Sequence, residues 1–427
     1  MGGHADMIDR FGKYEIKQQL GKGACGTVYR AVDTFSGGEV ALKVIDPEVF
    51  KDPEFGEIYH AQFLNEASLA GKLSHPYIVS ILDAVVTENA GHIAMEYVSG
   101  GDLSQHVSPD TLLPFEDVVQ IGFKCCGALA YAFREGIVHR DIKPANILLA
   151  EGMEPKIADF GAAWLRKSQA VQTATIGSPY YMSPEQIGEQ PLTEHSDMFC
   201  LGVVLYELFA GCRPFTAQSI QMLTQKIREQ DPVPPSQVRP ELPVQIDQVV
   251  LRALSKKPEH RYPTWTEFAS ELATLVRLGK PSDIIYDSEK FHSLTSVDML
   301  RLLTDSAIWE LVKAGRWRRL GTRSVVIRED DPGQSFFFLA HGEVKVTRQG
   351  RLLNVISAGE CFGEMGYIRG GDLARQASVE SMTEVVLAEF ERDALESMSV
   401  GCQLHFTRAL VRNLVDRLAL ANSRLSR

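Results

Sequence analysis

The stretch His139-Arg140-Asp141-Ile142-Lys143-Pro144-Ala145-Asn146 packs a carboxylate, an ammonium and a carboxamide into one short loop. An aspartate can accept the proton of an attacking hydroxyl, a lysine can neutralise charge on a moving phosphoryl group, and an asparagine a few residues on can ligate magnesium. A second carboxylate, Asp159 in Asp159-Phe160-Gly161, follows Ile147-Leu148-Leu149 and Lys156-Ile157-Ala158, which read as short strands. Upstream, Gly21-Lys22-Gly23-Ala24-Cys25-Gly26-Thr27-Val28 offers side-chain-free positions where backbone amides can approach phosphate oxygens. Val40-Ala41-Leu42-Lys43 then sets a lysine on an apolar strand, where a buried ammonium is costly unless an anion meets it.

The elements that must position these groups are legible in outline. From Tyr14 to Ile45, short alternating runs broken by glycines predict an antiparallel hairpin sheet. The glycine segment leads into a strand instead of a helix, which disfavours a dinucleotide fold. Ile58, Phe63, Leu64, Leu69 and Leu73 predict an amphipathic helix running to about Lys72 that carries Glu66. Glu57 suits the N-terminal end of that helix dipole. Phe115 to Glu135 predicts a long buried helix under the catalytic loop, ended by Gly136, with Cys125 and Cys126 as packing residues.

A chain of 427 residues with 44% hydrophobic and 23% charged residues is expected to fold as two or three globular units. It has no run of about twenty apolar residues and no signal-peptide stretch near Met1, so a cytoplasmic protein without a membrane span is expected. A net charge of -11 argues against nucleic acid as a partner. Arg316, Arg318, Arg319 and Arg323 form a local basic cluster, read as a solvated face or a surface for an acidic partner. Seven cysteines without paired C-x-x-C motifs point to reduced thiols.

The loop resembles the catalytic loop of the eukaryotic-like protein kinases, H-R-D followed by an asparagine five residues after the aspartate. The resemblance covers about Phe11 to Leu278 and implies ATP as cofactor with Mg2+, Mn2+ being an alternative. It implies Asp141 as base, Lys143 as charge stabiliser, Lys43 held by Glu66, and Asn146 and Asp159 as metal ligands. The nucleotide would meet Gly21, Gly23, Gly26, Val28 and Ala41, with Met95 guarding the adenine pocket and the backbone from Glu96 to Val98 bonding the base. For Asp102, a ribose contact and a plain helix cap are both open. Lys143 and the segment Gly177-Ser178-Pro179-Tyr180-Tyr181-Met182-Ser183-Pro184-Glu185 resemble the serine/threonine branch. Ala145 replaces an acid carried by many relatives that seek basic target sites. Arg140 implies a phosphate switch in the activation segment, with Thr173 or Thr175 as the expected autophosphorylation site. Asp197 resembles the aspartate that braces the catalytic loop, and Arg261 the arginine that pairs with Glu185. Pro232, Pro234, Pro235, Pro240 and Pro243 read as a rigid inter-helix connection.

After Gly279-Lys280-Pro281-Ser282-Asp283 the chain changes character. Helical stretches from Ser296 to Ala314 precede short β-rich runs between Ser324 and Phe390, separated by Gly-containing turns, as a jelly roll requires. Phe362-Gly363-Glu364-Met365-Gly366-Tyr367 and Arg375-Gln376-Ala377-Ser378-Val379 resemble the cassette of the cyclic nucleotide-binding domain. There the glutamate accepts from the ribose 2′-hydroxyl and the arginine clamps the cyclic phosphate, aided by amides of a short helix. Gly363, Glu364, Arg375, Gln376 and Ala377 would line the site. A structural Glu364–Arg375 salt bridge is the competing reading, and Gln376 leaves cAMP against cGMP open. The spacing of Val411, Leu414, Val415 and Leu418 predicts a helix that closes over the ligand, packs on the barrel or makes a homodimer seam.

The expected fold class is α+β: a bilobal protein kinase fold, with a small antiparallel β lobe and an α-rich large lobe, followed by a β jelly-roll barrel with flanking helices. The boundaries are a flexible N-terminus 1–10, a kinase domain 11–278 with lobes of about 11–98 and 99–278, a linker 279–295, and a cyclic nucleotide-binding-like domain 296–427. The expected function is phosphorylation of protein Ser/Thr hydroxyls under cyclic nucleotide control. The rivals are an active kinase whose barrel is a docking module and a pseudokinase scaffold.

Overall fold

The computed structural model describes residues 10–22, 26–45, 56–69, 71–86, 91–160, 164–165, 179–276, 284–369 and 374–425. The chain divides into two compact units, Met1–Gly279 and Lys280–Arg427, each described by itself.

The first unit begins with a six-stranded antiparallel sheet ordered β1-β2-β3-β4-β6-β5: β1 Arg10–Phe11, β2 Tyr14–Lys22, β3 Gly26–Asp33, β4 Glu39–Ile45, β5 Ile81–Val86 and β6 Gly91–Glu96. Alternation decides its two faces. Val40, Leu42, Ala31 and Ala94 pack with Tyr14 on one side. Register pairs Val28 with Lys43 and Ala41 with Met95, so these four share the opposite face. The helix beside the sheet spans Gly56–Ser68, a turn shorter than the apolar spacing predicts. Lys72 N instead donates to Leu69 O at 3.0 Å, and Gly71 at φ +70 takes a left-handed turn that glycine adopts without strain. Leu64, expected on the buried stripe with Phe63, is 42% exposed.

The large lobe is built on helix Phe115–Arg134, whose buried face includes Val118, Ile121, Cys125 and Leu129. Gly122 lies where a Cβ would come 2.9 Å from Leu205 Cδ2, so helix Glu194–Ala210 can cross closely. That second helix is buried almost throughout, starts on a Thr193–Ser196 capping box and stops at left-handed Gly211. The proline-rich connection contains a short helix, Pro235–Val238.

The second unit holds two four-stranded sheets. One runs Arg316–Leu320, Val385–Phe390, Phe336–His341, Cys361–Phe362; the other Val325–Ile327, Ser378–Ser381, Glu343–Arg348, Arg351–Ser357. Phe337, Leu339, Val344, Ile356, Val379 and Leu387 fill the space between them. The basic cluster is a strand: Arg318 pairs with Glu389 at 3.1 Å, and Arg319 with Glu289 and Glu384 at 3.2 and 3.3 Å. Those ion pairs absorb much of the charge read as a solvated face or partner surface. Helix Asp287–Thr295 lies in the stretch expected as linker; it carries little apolar periodicity to announce it. The terminal helix Val400–Leu425 buries Cys402, Phe406 and Leu410 and leaves Leu404, Val411, Val415 and Leu418 exposed. Among the described residues no helix is long and apolar enough to cross a membrane.

Candidate functional site

Lys43 is the hub of the first site. Its Nζ donates to Glu66 Oε2 at 2.7 Å and to Asp159 Oδ1 at 3.3 Å, joining a strand, a helix and a distant loop. Burial opposes the ammonium, but the two carboxylates outweigh it and hold the Lys43 pKa above the ordinary lysine value. The same charge keeps Asp159 below the usual carboxylate range, against its own burial. Asp159 takes φ +62, a conformation that costs a non-glycine residue about 1–3 kcal/mol and that surrounding contacts must impose.

The catalytic loop brings its three polar side chains together. Lys143 Nζ donates to Asp141 Oδ2 at 2.7 Å, and Asn146 Nδ2 donates to the same oxygen at 3.0 Å and to Asp141 O at 2.8 Å. Both side-chain donors fall on Oδ2, which leaves Oδ1 to accept a proton. The Asn146 amide nitrogen is spent on Asp141, which leaves its carbonyl oxygen as the atom for a cation. No cluster of three or more His, Cys, Asp or Glu able to hold a metal occurs among the described residues. A site of Asn146 and Asp159, completed by phosphate oxygens, fits a hard cation that keeps oxygen ligands from its substrate.

The scaffold under the loop is polar and buried. Asp197, at the start of the buried helix, accepts from His139 N at 2.7 Å and Arg140 N at 2.8 Å. Arg140 is held at φ +70. His139, fully buried, has Nε2 at 3.0 Å from Ala158 O and its ring centroid 4.5 Å from that of Phe160, so it couples the loop to the Asp159 segment. Arg261 forks onto Glu185 at 2.6 and 2.9 Å and donates to the carbonyls of His195 and Ser255. Asp102 serves as the cap: its Oδ1 accepts from Ser104 N at 2.8 Å. One link escaped the sequence reading. Gln186 Nε2 donates to Arg140 O at 2.7 Å and ties the Pro184–Ile187 helix to the catalytic loop.

Among the expected nucleotide contacts, Val28, Ala41, Lys43 and Met95 share one sheet face, and Glu96 closes β6 just before Val98. Gly21 pairs with Val28 across the hairpin. A Cβ on Gly26 would stand 2.2 Å from Val44 O, so only glycine lets β3 lie this close to the strand bearing Lys43. Gly23, Gly161, Thr173, Thr175 and Ser178 lie outside the described residues.

In the second unit a cavity of about 340 Å³ is lined by Val346, Leu353, Ile356 and Val379 and by the polar Asn354, Glu364, Arg375 and Gln376, with Gly363 and Ala377 also on its wall. Arg375 is 9% exposed. It donates to Gly363 O at 3.3 Å and Ser335 O at 3.0 Å, and among the described residues no carboxylate pairs with it. The structural salt bridge to Glu364 is therefore not the arrangement found. Burial lowers the Arg375 pKa, with Glu389 acting more weakly against it. Gly333 and Gly366 leave the room: a Cβ on either would come within 2.6 or 2.8 Å of the guanidinium nitrogens.

Comparison with known proteins finds a family match in each of the two units. Residues 14–273 match the protein kinase domain family and residues 317–400 the cyclic nucleotide-binding domain family. Serine/threonine-protein kinase PknB of Mycobacterium leprae is 36% identical over 295 residues, covering 66% of this chain and 46% of that protein. A probable serine/threonine-protein kinase of Clostridium acetobutylicum is 32% identical over 281 residues, covering 65% of this chain and 41% of its own length. The chain spans less than half the length of these curated relatives. With more than half of its residues in the matched kinase domain, the chain belongs to the protein kinase family, and its residues 317–400 match the cyclic nucleotide-binding domain family.

Proposed function

We propose that this chain is an active serine/threonine protein kinase that phosphorylates protein hydroxyls and is regulated by a cyclic nucleotide. The observation that carries the kinase reading is Lys43 bridging Glu66 and Asp159, carboxylates brought from far apart in the chain. Bound Mg-ATP supplies the transferable phosphoryl group and the cationic charge that offsets its oxygens. Asp141 orients the acceptor hydroxyl and takes its proton on Oδ1. Lys143 holds Asp141 in place and supplies positive charge where negative charge develops. Asn146 and Asp159 are the metal ligands, and Lys43, aligned by Glu66, meets the inner phosphates. The test is transfer of radiolabel from ATP to a generic protein substrate, compared with Asp141→Asn and Asp159→Asn. A pseudokinase would leave all three equally silent.

The second unit is read as a cyclic nucleotide sensor because a buried guanidinium without an ion pair faces a largely apolar cavity. An unpaired buried charge is costly, and a cyclic phosphate would neutralise it. Glu364 would accept from the ribose. Calorimetry with cAMP and with cGMP on wild type and Arg375→Ala tests this; absence of binding to both would favour the docking-module reading. Ligand binding changes catalysis to the extent that the ligand's affinity differs between two arrangements of the chain. Autophosphorylation at Thr173 or Thr175 completes the regulation, tested by peptide mapping of wild type against Asp159→Asn. The exposed stripe Leu404, Val411, Val415 and Leu418 suits a homodimer seam on the terminal helix, tested by sedimentation of Val411→Glu. The proposed location is the cytoplasm, tested by cell fractionation.

A further inference from the structure

Arg213 stands just beyond the buried helix Glu194–Ala210, and its surroundings fix it without closing it off. Glu207, within that helix, is engaged at both oxygens: Tyr181 Oη donates to Oε2 at 2.6 Å and Arg213 Nε to Oε1 at 3.2 Å. The guanidinium also lies over the Tyr180 ring, 4.3 Å from its centroid. One edge and one face are thereby anchored, yet the side chain stays 37% exposed while that of Glu207 is 4% exposed. The pair thus presents a buried negative end and a solvent-facing positive end. No second carboxylate pairs with Arg213 among the described residues. An arginine already held in one geometry loses little further freedom when its planar fork meets an anion.

The position matters as much as the geometry. Tyr180 and Tyr181 belong to the Pro179–Tyr181 turn, which leads into the Ser183-capped helix Pro184–Ile187. Gln186 in that helix holds the carbonyl of Arg140, the residue before Asp141. The turn is thus tied to the loop of Asp141 through Gln186 and Arg140, and a substrate in extended form, advancing about 3.3 Å per residue from Asp141, would need only a few residues to bring a neighbouring side chain toward it. On the catalytic loop itself, the exposed position Ala145 contributes no acid that would favour a basic substrate.

We propose that Arg213 is a specificity-determining residue that reads an anionic side chain near the acceptor hydroxyl, so that this kinase prefers acceptor sites flanked by acidic or already phosphorylated residues. The proposal rests on the kinase reading above and names its substrate class. The anion is either the carboxylate of Asp or Glu or the phosphate of a phosphoserine, and separate peptide arms distinguish them.

The experiment is a positional scan with the full chain and radiolabelled ATP, placing Ala, Asp, phosphoserine or Arg at each position around a fixed threonine. The expected result is at least one position where an anion raises kcat/KM about tenfold over alanine, chiefly through KM. Arg213→Gln, which keeps a donor for Glu207, should bring that ratio close to one, Arg213→Lys should retain part of it, and Arg213→Glu should shift the preference toward arginine. A wild-type scan without anionic preference overturns the proposal whatever the variants do. So does an Arg213→Gln enzyme with undiminished preference. If no peptide and no protein is labelled at all, the kinase reading itself has failed, which is a different outcome.

Discussion

Asp197→Asn tests how the scaffold supports chemistry. Asp197 is 3% exposed, and its two oxygens accept from the backbone N–H groups of His139 and Arg140 at 2.7 and 2.8 Å. An asparagine offers one oxygen, and its NH2 would face the other backbone donor. The change removes one charge-assisted hydrogen bond, about 1.5–3 kcal/mol, and leaves one buried N–H unsatisfied at about 1–3 kcal/mol. A loss of roughly 2.5–6 kcal/mol is therefore expected at the root of the loop. Arg140 is held at φ +70, and this anchor is one of the contacts that impose it. Relaxation there would move Asp141 relative to the acceptor, and a shift of about 1 Å costs on the order of a hundredfold in kcat. Lys43, Glu66 and the β4–β6 pairing are untouched, so KM for ATP should change far less. Steady-state kinetics and urea denaturation read the two effects separately. A kcat within about threefold of wild type, with the fold intact, would refute the reasoning, because it would mean the loop holds its geometry without this carboxylate.

Three other changes carry definite signs. Arg261→Met strands the buried Glu185 carboxylate and should cost about 3–5 kcal/mol in denaturation of the kinase unit. It should also reverse a pH slope. In the wild type Arg261 outweighs burial and holds Glu185 below the usual range, so its contribution is present above the unfolded value of about 4.3 and is lost as pH falls through the folded one. With Arg261 gone, burial, the largest influence, raises the folded value against the weaker hydrogen bonds from the backbone and Ser196, and the variant should instead lose stability as pH climbs above about 4.3. Gly26→Ala drives a Cβ to 2.2 Å from Val44 O, a backbone atom, so nucleotide affinity should fall measurably in fluorescence titration. Among the described cysteines, Cys212 is exposed while burial pushes the Cys125 thiol up to about 12. Iodoacetamide at pH 8 followed by mass mapping should therefore modify Cys212 and spare Cys125.

The chemistry was legible because phosphoryl transfer demands particular side chains at fixed spacing. Asp141, Lys143 and Asn146 meet within one loop, and the ammonium on the apolar strand meets Glu66, the acid that the family resemblance implied. Periodicity fared less well where polar residues do the packing. Helix Asp287–Thr295 buries Ser288 and Leu294 and shows no apolar stripe. Strand Arg316–Leu320 reads as basic surface until Glu389 and Glu289 are seen opposite its arginines. Leu64 fits the heptad-like spacing of its helix yet points to solvent, because neighbouring Phe63 takes the place against the sheet beside Ile45 and Ile93.

What no spacing announces is backbone strain. Arg140 and Asp159 both adopt positive φ without being glycine, at +70 and +62. Each carries an unfavourable conformation, and each is pinned by groups whose purpose looks merely structural: Asp197 and Gln186 for Arg140, Lys43 and the His139–Phe160 contact for the Asp159 segment. The two strained residues sit on either side of His139, which bonds the carbonyl of Ala158 while its own N–H is held by Asp197. A rotation that relieved one residue would pull on the other through that imidazole. Asp141 and Asp159 are therefore coupled through buried polar contacts of the chain itself. A buried histidine thereby fixes the position of the Asp141 loop relative to the Asp159 segment.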